Sequence, residues 1–380
     1  MIYLDNAATT GKKPQAVINA VENALKNFSA NPGRGGHSAA IKAAEQIYKI
    51  RQKTASYFGA ESEASVCFTY NCTTAINTVL KGILNRGEHV IVSSLEHNAV
   101  MRPIHSLNAE KGVEFDIARV NIFEPDSCLL EIKKLVKKNT KLVFVTHASN
   151  VTGTVLPIKE IGAFCKENNI LFAVDAAQSA GHINIDMKSM GIDYLCIAPH
   201  KGLYAPMGIG ILIAEKEIEK VLIEGGTGVN SRSMLQPEAL PERIESGTVN
   251  LPAIFGLGAG IDFVSDKAVI KRIKNEEKLI KYAAELLCKI PTIIYGNYNE
   301  NTLFAPVLSF NLHGVESEQI ADYLSKKNIA VRGGLQCAPF AHKTLGTSEQ
   351  GTVRISTSVY NSAEDIEKLC FFVKKIAFSY

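Results

Sequence analysis

The 380-residue sequence contains no tryptophan, and none of its segments approaches the unbroken run of about 18 apolar residues that a membrane-spanning helix needs. No membrane span is therefore expected. The sequence also lacks a strong excess of either charge, because 41 lysines and arginines stand against 38 aspartates and glutamates. A net charge of +3 gives no electrostatic reason to expect nucleic acid or an anionic membrane surface as a partner.

Clustered cysteines are missing as well. The eight cysteines form no C-x-x-C pair, which excludes zinc ribbons and thioredoxin-type motifs, and we expect no metal site. They are too sparse for a disulfide scaffold. The first residues, 1–5, have neither the basic start nor the apolar segment of a signal peptide. Together these absences predict a cytoplasmic protein whose thiols are mostly small buried side chains.

Short apolar, β-branched runs alternate with amphipathic stretches of helical period along most of the chain. This alternation predicts an α/β fold in which helices flank a mainly parallel sheet, forming a large domain over 13–264. From about residue 267 the pattern becomes α+β, so we predict a small domain from 265–380 together with 1–12. The predicted strands of the large sheet are 66–69, 90–93, 142–146, 171–174, 194–197 and 209–213.

Polar residues follow five of these strands. Ligands of open parallel α/β sheets bind beyond the carboxyl ends of the strands, so the five segments should meet at one rim. Each of them has a simple structural explanation when taken alone, since a threonine pair often caps a helix and a lysine is usually a solvated surface charge. Their conjunction is harder to explain structurally. The segments are NCTT at 71–74, EHN at 96–98, HASNVTG at 147–153, DAAQ at 175–178 and APHKG at 198–202.

The chemistry of these segments matches the needs of pyridoxal 5'-phosphate. Threonines at a helix N-terminus suit its phosphate, and a buried aspartate can keep its pyridine nitrogen protonated. A lysine can form a Schiff base with its aldehyde, and a histidine can stack on its ring. A nucleotide is disfavoured, because no G-x-x-x-x-G-K-[ST] motif occurs and no G-x-G-x-x-G joins a strand to a helix.

Nine motifs in order give the sequence a strong resemblance to a known family. It resembles fold-type I pyridoxal-phosphate enzymes of the class V aminotransferase group, and most closely the group II cysteine desulfurase and selenocysteine lyase branch. The resemblance implies a large transferase domain and a small C-terminal domain. The motifs are YLDNAA at 3–8, NCTTAIN at 71–77, EH at 96–97, SNVTGT at 149–154, DAAQ at 175–178, HKG at 200–202, ESGTVN at 245–250, RGGLQC at 332–337 and Arg354.

The resemblance assigns cofactor-binding roles to matched positions. It implies that Lys201 is the lysine joined to the cofactor, that Asp175 pairs with the pyridine nitrogen and that His97 stacks over the ring. Thr248 matches a position that reaches the phosphate of the neighbouring subunit, which implies a homodimer. The remaining cofactor contacts that it implies come from Thr73, Thr74 and His200 at the phosphate and from Asn150 and Gln178 at the ring oxygen.

For the reaction, the resemblance implies that Arg354 and Asn150 bind the carboxylate of L-cysteine or L-selenocysteine. Lys201 would then move the Cα proton, and Cys337 would accept the sulfur as a persulfide while alanine is formed; with His97 they form the catalytic set. We expect a turn or mobile loop before Cys337 and a nearby arginine and His342 that favour its thiolate. In this branch a separate acceptor protein often takes the sulfur, and the sequence does not say whether one serves this chain.

One position departs from the family pattern. Two residues before His200, where the family usually has a serine that binds the phosphate, this chain has Ala198. We therefore expect weaker cofactor retention. Other functions stay open, because an aminotransferase or another lyase of the group would use Lys201, Asp175 and Arg354 without Cys337. A selenocysteine lyase would share nearly every residue, and a non-enzymatic scaffold is the least economical alternative.

Overall fold

A computed structural model describes residues 1–33 and 35–378 of the chain. The helices are α1 (Gln15–Asn27), α2 (Ser38–Phe58), α3 (Cys72–Ile83), α4 (Asn98–Lys111), α5 (Cys128–Leu135), α6 (Ile158–Glu167), α7 (Met187–Met190), α8 (Leu251–Ser265), α9 (Lys267–Leu287), α10 (Ser317–Lys326), α11 (Pro339–Leu345) and α12 (Ala363–Ala377). The strands are β1 (Ile2–Tyr3), β2 (Val66–Thr69), β3 (His89–Ser93), β4 (Glu114–Ala118), β5 (Thr140–Thr146), β6 (Leu171–Asp175), β7 (Tyr194–Ile197), β8 (Gly210–Ala214), β9 (Thr292–Tyr295), β10 (Val307–Leu312), β11 (Ile329–Ala330) and β12 (Val353–Ser356).

A seven-stranded sheet forms the centre of the fold, in the order β2-β8-β7-β6-β5-β3-β4. Six strands run in the same direction, and β8 runs antiparallel to both of its neighbours. The segment between β7 and β8 contains no helix that could carry the chain back across the sheet, so a direct antiparallel return is the available connection. The predicted α/β class with a mainly parallel sheet is confirmed.

Helices cover both faces of this sheet. Strands β3 and β7 are buried at every residue, as expected for strands without alternating polarity. Two apolar clusters pack against the sheet, one containing Ile91 and Val174 and the other containing Val90 and Ala173. Adjacent residues of a strand therefore belong to different clusters, which is the alternation of side chains across a pleated strand.

The last third of the chain builds a second sheet, with the order β12-β10-β9 and antiparallel pairing throughout. Helices α9, α10 and α12 share an apolar cluster with it, in which Leu4 also lies. Strand β1 pairs with β11, so the N-terminal residues join this part of the chain. The division into domains at 13–264 and 265–380 stays a prediction, and its last two residues, Ser379 and Tyr380, lie outside the described residues.

Because β2, β3, β5, β6 and β7 are parallel to one another, their carboxyl ends share one edge of the large sheet. The segments predicted to bind a ligand start there. None of the helices in residues 1–33 and 35–378 combines the length and apolar character needed to cross a membrane.

Candidate active site

Asp175 is the last residue of β6 and is buried in the middle of the rim. Its Oδ1 accepts hydrogen bonds from the Ala177 amide (2.8 Å) and from the thiol of Cys72 (3.8 Å between sulfur and oxygen). Burial raises the pKa of this carboxyl, while the amide and the charge of Lys201 oppose that shift. A carboxylate at this position gains from a cationic partner, which the protonated nitrogen of a pyridine ring provides.

Lys201 lies in the turn that follows β7, one strand away from Asp175. Desolvation lowers the pKa of its ammonium group, and the charge of Asp175 counteracts this shift. Residues near the N-terminus hold this turn in place. The His200 carbonyl accepts hydrogen bonds from the hydroxyl of Thr10 (3.0 Å) and the ammonium of Lys13 (2.9 Å). A lysine whose neutral form is favoured in this way can act as a nucleophile or a base.

His97 is the N-cap residue of α4, and its Nδ1 accepts a hydrogen bond from the Ala99 amide at 3.0 Å. Burial, followed by the charges of Lys201 and Arg354, lowers the pKa of His97 to about 4. The imidazole is therefore neutral at pH 7, with its orientation set by the helix cap. A neutral, oriented ring suits the stacking role predicted for this residue.

The N-terminus of α3 provides the predicted phosphate-binding threonines. Asn71 caps the helix by accepting from the Thr74 amide (2.8 Å) and hydroxyl (3.1 Å), whereas Thr73 is exposed. Thr74 and Thr248 line one pocket of the same chain. The backbone packs closely here, since a Cβ on Gly210 would lie 2.2 Å from the carbonyl carbon of Asn71. The contribution of Thr248 to a neighbouring subunit stays a prediction.

His200 has the ring nitrogen that is the clearest candidate to bind an anion. Its Nδ1 is buried and has no hydrogen-bond partner among residues 1–33 and 35–378. Burial lowers the pKa of the imidazole to about 4, so the ring is neutral and can donate from one nitrogen. Together with the helix N-terminus at Asn71 and the buried carboxyl of Asp175, this unpaired donor fits pyridoxal phosphate, as the resemblance implies.

Ala198 is buried immediately after β7. If a serine hydroxyl there donates to the cofactor phosphate, Ala198→Ser is expected to tighten pyridoxal phosphate binding about fivefold, because one such hydrogen bond contributes roughly 1 kcal/mol. Titration of the cofactor-free protein measures the change, and Ala64→Ser at an exposed position is the matched control. Equal affinities for the original and Ala198→Ser proteins would show that the missing hydroxyl has no effect.

Arg354 is buried on β12 with a guanidinium group that is only partly paired. One terminal nitrogen donates to the Asn150 carbonyl (3.0 Å) and the other to Asp5 Oδ1 (2.7 Å), while Nε has no partner among the described residues. The amide of Asn150 donates to the Gln336 carbonyl at 2.8 Å, and that of Gln178 donates to Ala7 at 2.9 Å. Asp5, which belongs to the motif at 3–8, therefore orients the arginine.

Cys337 is one of two cysteines that are exposed among the eight free thiols, the other being Cys288. Its carbonyl accepts a hydrogen bond from the Asn98 amide at 2.7 Å, which brings its loop against the start of α4, next to His97. The predicted role of His342 is wrong. That side chain is fully buried, both ring nitrogens are hydrogen bonded, and burial lowers its pKa to about 4, so it carries no charge toward the thiol.

The segment before Cys337 is also more ordered than a free loop. Arg332 forms an antiparallel bridge with Arg354, through two backbone hydrogen bonds of 3.1 and 2.7 Å. Gly334 adds a backbone bond with Thr352 at 3.0 Å. The segment that leads to Cys337 is thus hydrogen bonded to the strand that carries Arg354.

Glu96 is a buried acid beside the site to which the sequence assigned no role. Its Oε1 accepts from the Ser93 hydroxyl and from the Thr146 amide (2.8 Å), so it connects the ends of β3 and β5. Burial raises its pKa to about 8. Its position next to His97 in the sequence suggests that it lies near the site. Sequence alone does not reveal that the carboxyl faces inward.

The raised pKa of Glu96 predicts a pH dependence of stability. Between its ordinary pKa and about 8 the folded state holds a proton that the unfolded state has lost, so Glu96 makes stability decrease as pH rises. Glu96→Gln, which mimics the protonated form, is expected to flatten this decline. Thermal midpoints measured from pH 5 to pH 8.5 test it, with Glu349→Gln on the surface as control. Identical slopes in all three proteins would contradict the assignment.

Comparison with known proteins gives one consistent result. The sequence profile described as Aminotransferase class-V matches residues 2–369. A probable cysteine desulfurase of Methanothermobacter thermautotrophicus is 34% identical, with 99% of this chain and 94% of the relative covered. The apo structure of a cysteine desulfurase from Thermococcus onnurineus superposes with a TM-score of 0.92 at 31% identity, covering 100% and 95% of the two chains. An Escherichia coli cysteine desulfurase with an S-sulfonic acid gives 0.87 at 26% identity, covering 99% and 94%.

Proposed function

The chain belongs to the aminotransferase class-V family, and from this premise we propose that it is a cysteine desulfurase that converts L-cysteine to L-alanine and leaves the sulfur on Cys337 as a persulfide. Enzymes of this family depend on pyridoxal 5'-phosphate. What supports the proposal is that Cys337 is exposed, that its carbonyl accepts from the Asn98 amide beside His97, and that its segment is joined to the strand of Arg354 by the backbone bridge at Arg332. An aminotransferase would have no use for that thiol.

Residues of this chain fit each part of the cofactor. Asp175 would pair with the pyridine nitrogen, His97 would lie against the ring, and the unpaired Nδ1 of His200 would serve the phosphate with the N-terminus of α3. Lys201 would bind the aldehyde, and Gln178 would approach the ring oxygen. When bound, pyridoxal phosphate supplies an electron sink that stabilises negative charge at the substrate Cα.

Arg354 would bind the substrate carboxylate. Its unpaired Nε and the planar guanidinium group suit a carboxylate better than an ammonium group would. Asp5 limits rotation of the group through the 2.7 Å contact, and the Asn150 carbonyl does so from the other side. The substrate Cα is thereby directed to the same rim as Lys201.

Lys201 would take the proton from Cα and return it later. The lowered pKa of its amine makes the neutral, proton-accepting form more accessible near pH 7. The charge of Lys201 contributes to the lowered pKa of His97, so the two side chains are near each other, and the neutral imidazole would shield the reacting carbon from water.

Cys337 would then take the sulfur as a thiolate. A bond forms between its Sγ and the substrate sulfur while the substrate Cβ–S bond breaks, and the electron pair of that bond stays on Cβ. The Cβ carbon is reduced to the methyl group of alanine and gains one proton, and Cys337 is oxidised to the persulfide. The reduction of Cβ offsets the oxidation of sulfur to the persulfide, so no external reductant is required for this half of the reaction.

Several features go further than the family assignment. We propose a homodimer in which Thr248 contributes to the partner subunit's phosphate site, a cytoplasmic location, and transfer of the persulfide sulfur either to an acceptor protein or to a small thiol. Tyr70 is 56% exposed and Met207 is 67% exposed, near the pocket that Thr74 and Thr248 line. A second copy of the chain could cover this apolar surface.

The test is a panel of amino acids incubated with the cofactor-loaded protein, with alanine, sulfide and Cys337 persulfide as readouts. L-Cysteine is expected to give alanine and sulfur in equal amounts. Alanine and selenium from L-selenocysteine alone would assign a selenocysteine lyase instead. Amino-group transfer to a keto acid without release of sulfur would reject the proposal in favour of an aminotransferase.

A further inference from the structure

The backbone at Cys337 has an uncommon conformation. Gln336 and Cys337 both have positive φ angles, of 43° and 57°, although neither is glycine. A Cβ atom makes this left-handed region unfavourable, and two such residues in a row persist only where the surroundings determine the conformation. The cause must therefore lie in the contacts of these two residues.

The side chain of Gln336 points inward and is almost fully hydrogen bonded. The residue is 6% exposed, compared with an exposed Cys337 next to it. Its Nε2 donates to the Thr352 carbonyl at 2.8 Å. Its Oε1 accepts from His342 Nε2 at 2.9 Å and from the Thr352 hydroxyl at 3.2 Å.

These contacts admit one consistent arrangement of hydrogens. A carbonyl can only accept, so the Thr352 carbonyl fixes the NH₂ end of the Gln336 amide. Oε1 then faces His342, whose Nε2 must carry the proton. The other ring nitrogen, Nδ1, accepts from the Thr347 hydroxyl at 2.8 Å. His342 is fully buried, and its low pKa of about 4 keeps this neutral tautomer stable across the physiological range.

Two main-chain contacts connect this buried pair to the reaction site. The carbonyl of Gln336 accepts from the side-chain amide of Asn150, and the carbonyl of Cys337 accepts from the amide of Asn98. Asn150 in turn receives Arg354 on its own carbonyl. The conformation of Cys337 is thus fixed by the buried contacts of Gln336 and His342. It is also fixed by the hydrogen bonds from Asn150 and Asn98 to the backbone carbonyls.

We propose that Gln336 and His342 are positioning residues for sulfur transfer, which hold the backbone in the left-handed conformation that presents the Cys337 thiol to the substrate. The inference rests on the proposed function. Neither residue touches the substrate. Both act through the backbone of Cys337, whose segment is held in one conformation by these hydrogen bonds.

The test compares Gln336→Ala with Gln350→Ala, which removes the same side chain from an exposed position nearby. The cofactor-loaded proteins are mixed with L-cysteine in a single turnover. Persulfide formation on Cys337 is expected to slow at least about tenfold in Gln336→Ala, because small displacements of a reacting group are costly. The dissociation constant of L-cysteine, read from the cofactor absorbance, is expected to change less than about threefold, because Arg354 and Lys201 are untouched.

Hydrogen exchange gives a readout that does not depend on activity. Backbone amides of 335–338 are expected to exchange at least about tenfold faster in Gln336→Ala than in the original protein or Gln350→Ala. Thr347→Val, which removes only the hydroxyl that serves His342, provides a milder variant if Gln336→Ala does not fold. We expect Thr347→Val to slow persulfide formation at least about twofold and also to speed the exchange of these amides.

Unchanged persulfide formation and unchanged exchange in Gln336→Ala and Thr347→Val would overturn the inference. A parallel loss of L-cysteine binding, persulfide formation and thermal stability would also overturn it, because it would show a general structural role. If the original protein forms no persulfide on Cys337 from L-cysteine, the proposed function fails, and the exchange measurements still decide whether Gln336 and His342 fix the segment.

Discussion

Replacing Lys201 with alanine is expected to lower kcat/KM for L-cysteine at least about 10³-fold, since proton transfer by a positioned base contributes about 10²–10⁴-fold and attachment of the cofactor is lost as well. The visible absorption band of the bound cofactor should shift or vanish in the same variant. Activity is followed as alanine formation, and the absorption spectrum is recorded on the same sample.

The surface variant Lys216→Ala is the matched control, because this lysine is exposed just beyond β8. It should retain both the activity and the spectrum. A Lys201→Ala protein with the original spectrum and rate would show that another group binds the cofactor. In that case, the lowered pKa of Lys201 would reflect only its burial, which the charge of Asp175 counteracts.

Replacing Cys337 with alanine is expected to abolish the protein persulfide and to lower the rate of alanine formation at least about 10²-fold. Loss of a positioned reacting group typically lowers a rate by about this factor. L-Cysteine should still alter the cofactor spectrum, because Arg354 and Lys201 remain. Mass spectrometry of the intact protein measures the added sulfur, and stopped-flow absorbance measures substrate binding.

Cys288→Ala is the control for this experiment, since Cys288 is the other exposed cysteine among the eight. It lies just after α9 and should accept no sulfur from substrate in the original protein. Full alanine formation by Cys337→Ala with a thiol acceptor present would remove Cys337 from the reaction and leave a lyase that releases sulfide directly.

The sequence predicts the strands of the large sheet best, because β3, β5, β6 and β7 are buried along nearly their whole length and their apolar runs are unmistakable. Strand β4 is missed, since it lies at the edge of the sheet and contains Glu114 and Asp116, which do not resemble a buried strand. The antiparallel direction of β8 is missed too, because direction depends on the connection rather than on composition.

For the site, the sequence identifies residue types and the rim but not their long-range contacts. His342 is five residues from Cys337, a spacing that suggests an imidazolium favouring the thiolate, yet tertiary packing turns the ring toward Gln336 and Thr347. The Asp5 contact with Arg354 likewise depends on two segments that meet only in the folded chain. Such contacts follow from packing, which no local pattern encodes.

The contact between Asp5 and Arg354 spans 349 residues of sequence, and that between Asn6 and Ser356 spans 350. Closing so long a loop carries an entropic cost that is recovered only when both ends pack, so we expect this part of the site to form late in folding. During synthesis, the first residues emerge long before their partners on β12 exist. A chain that ends before β12 lacks Arg354, so we expect the carboxylate site proposed here to be completed only after that strand has been made.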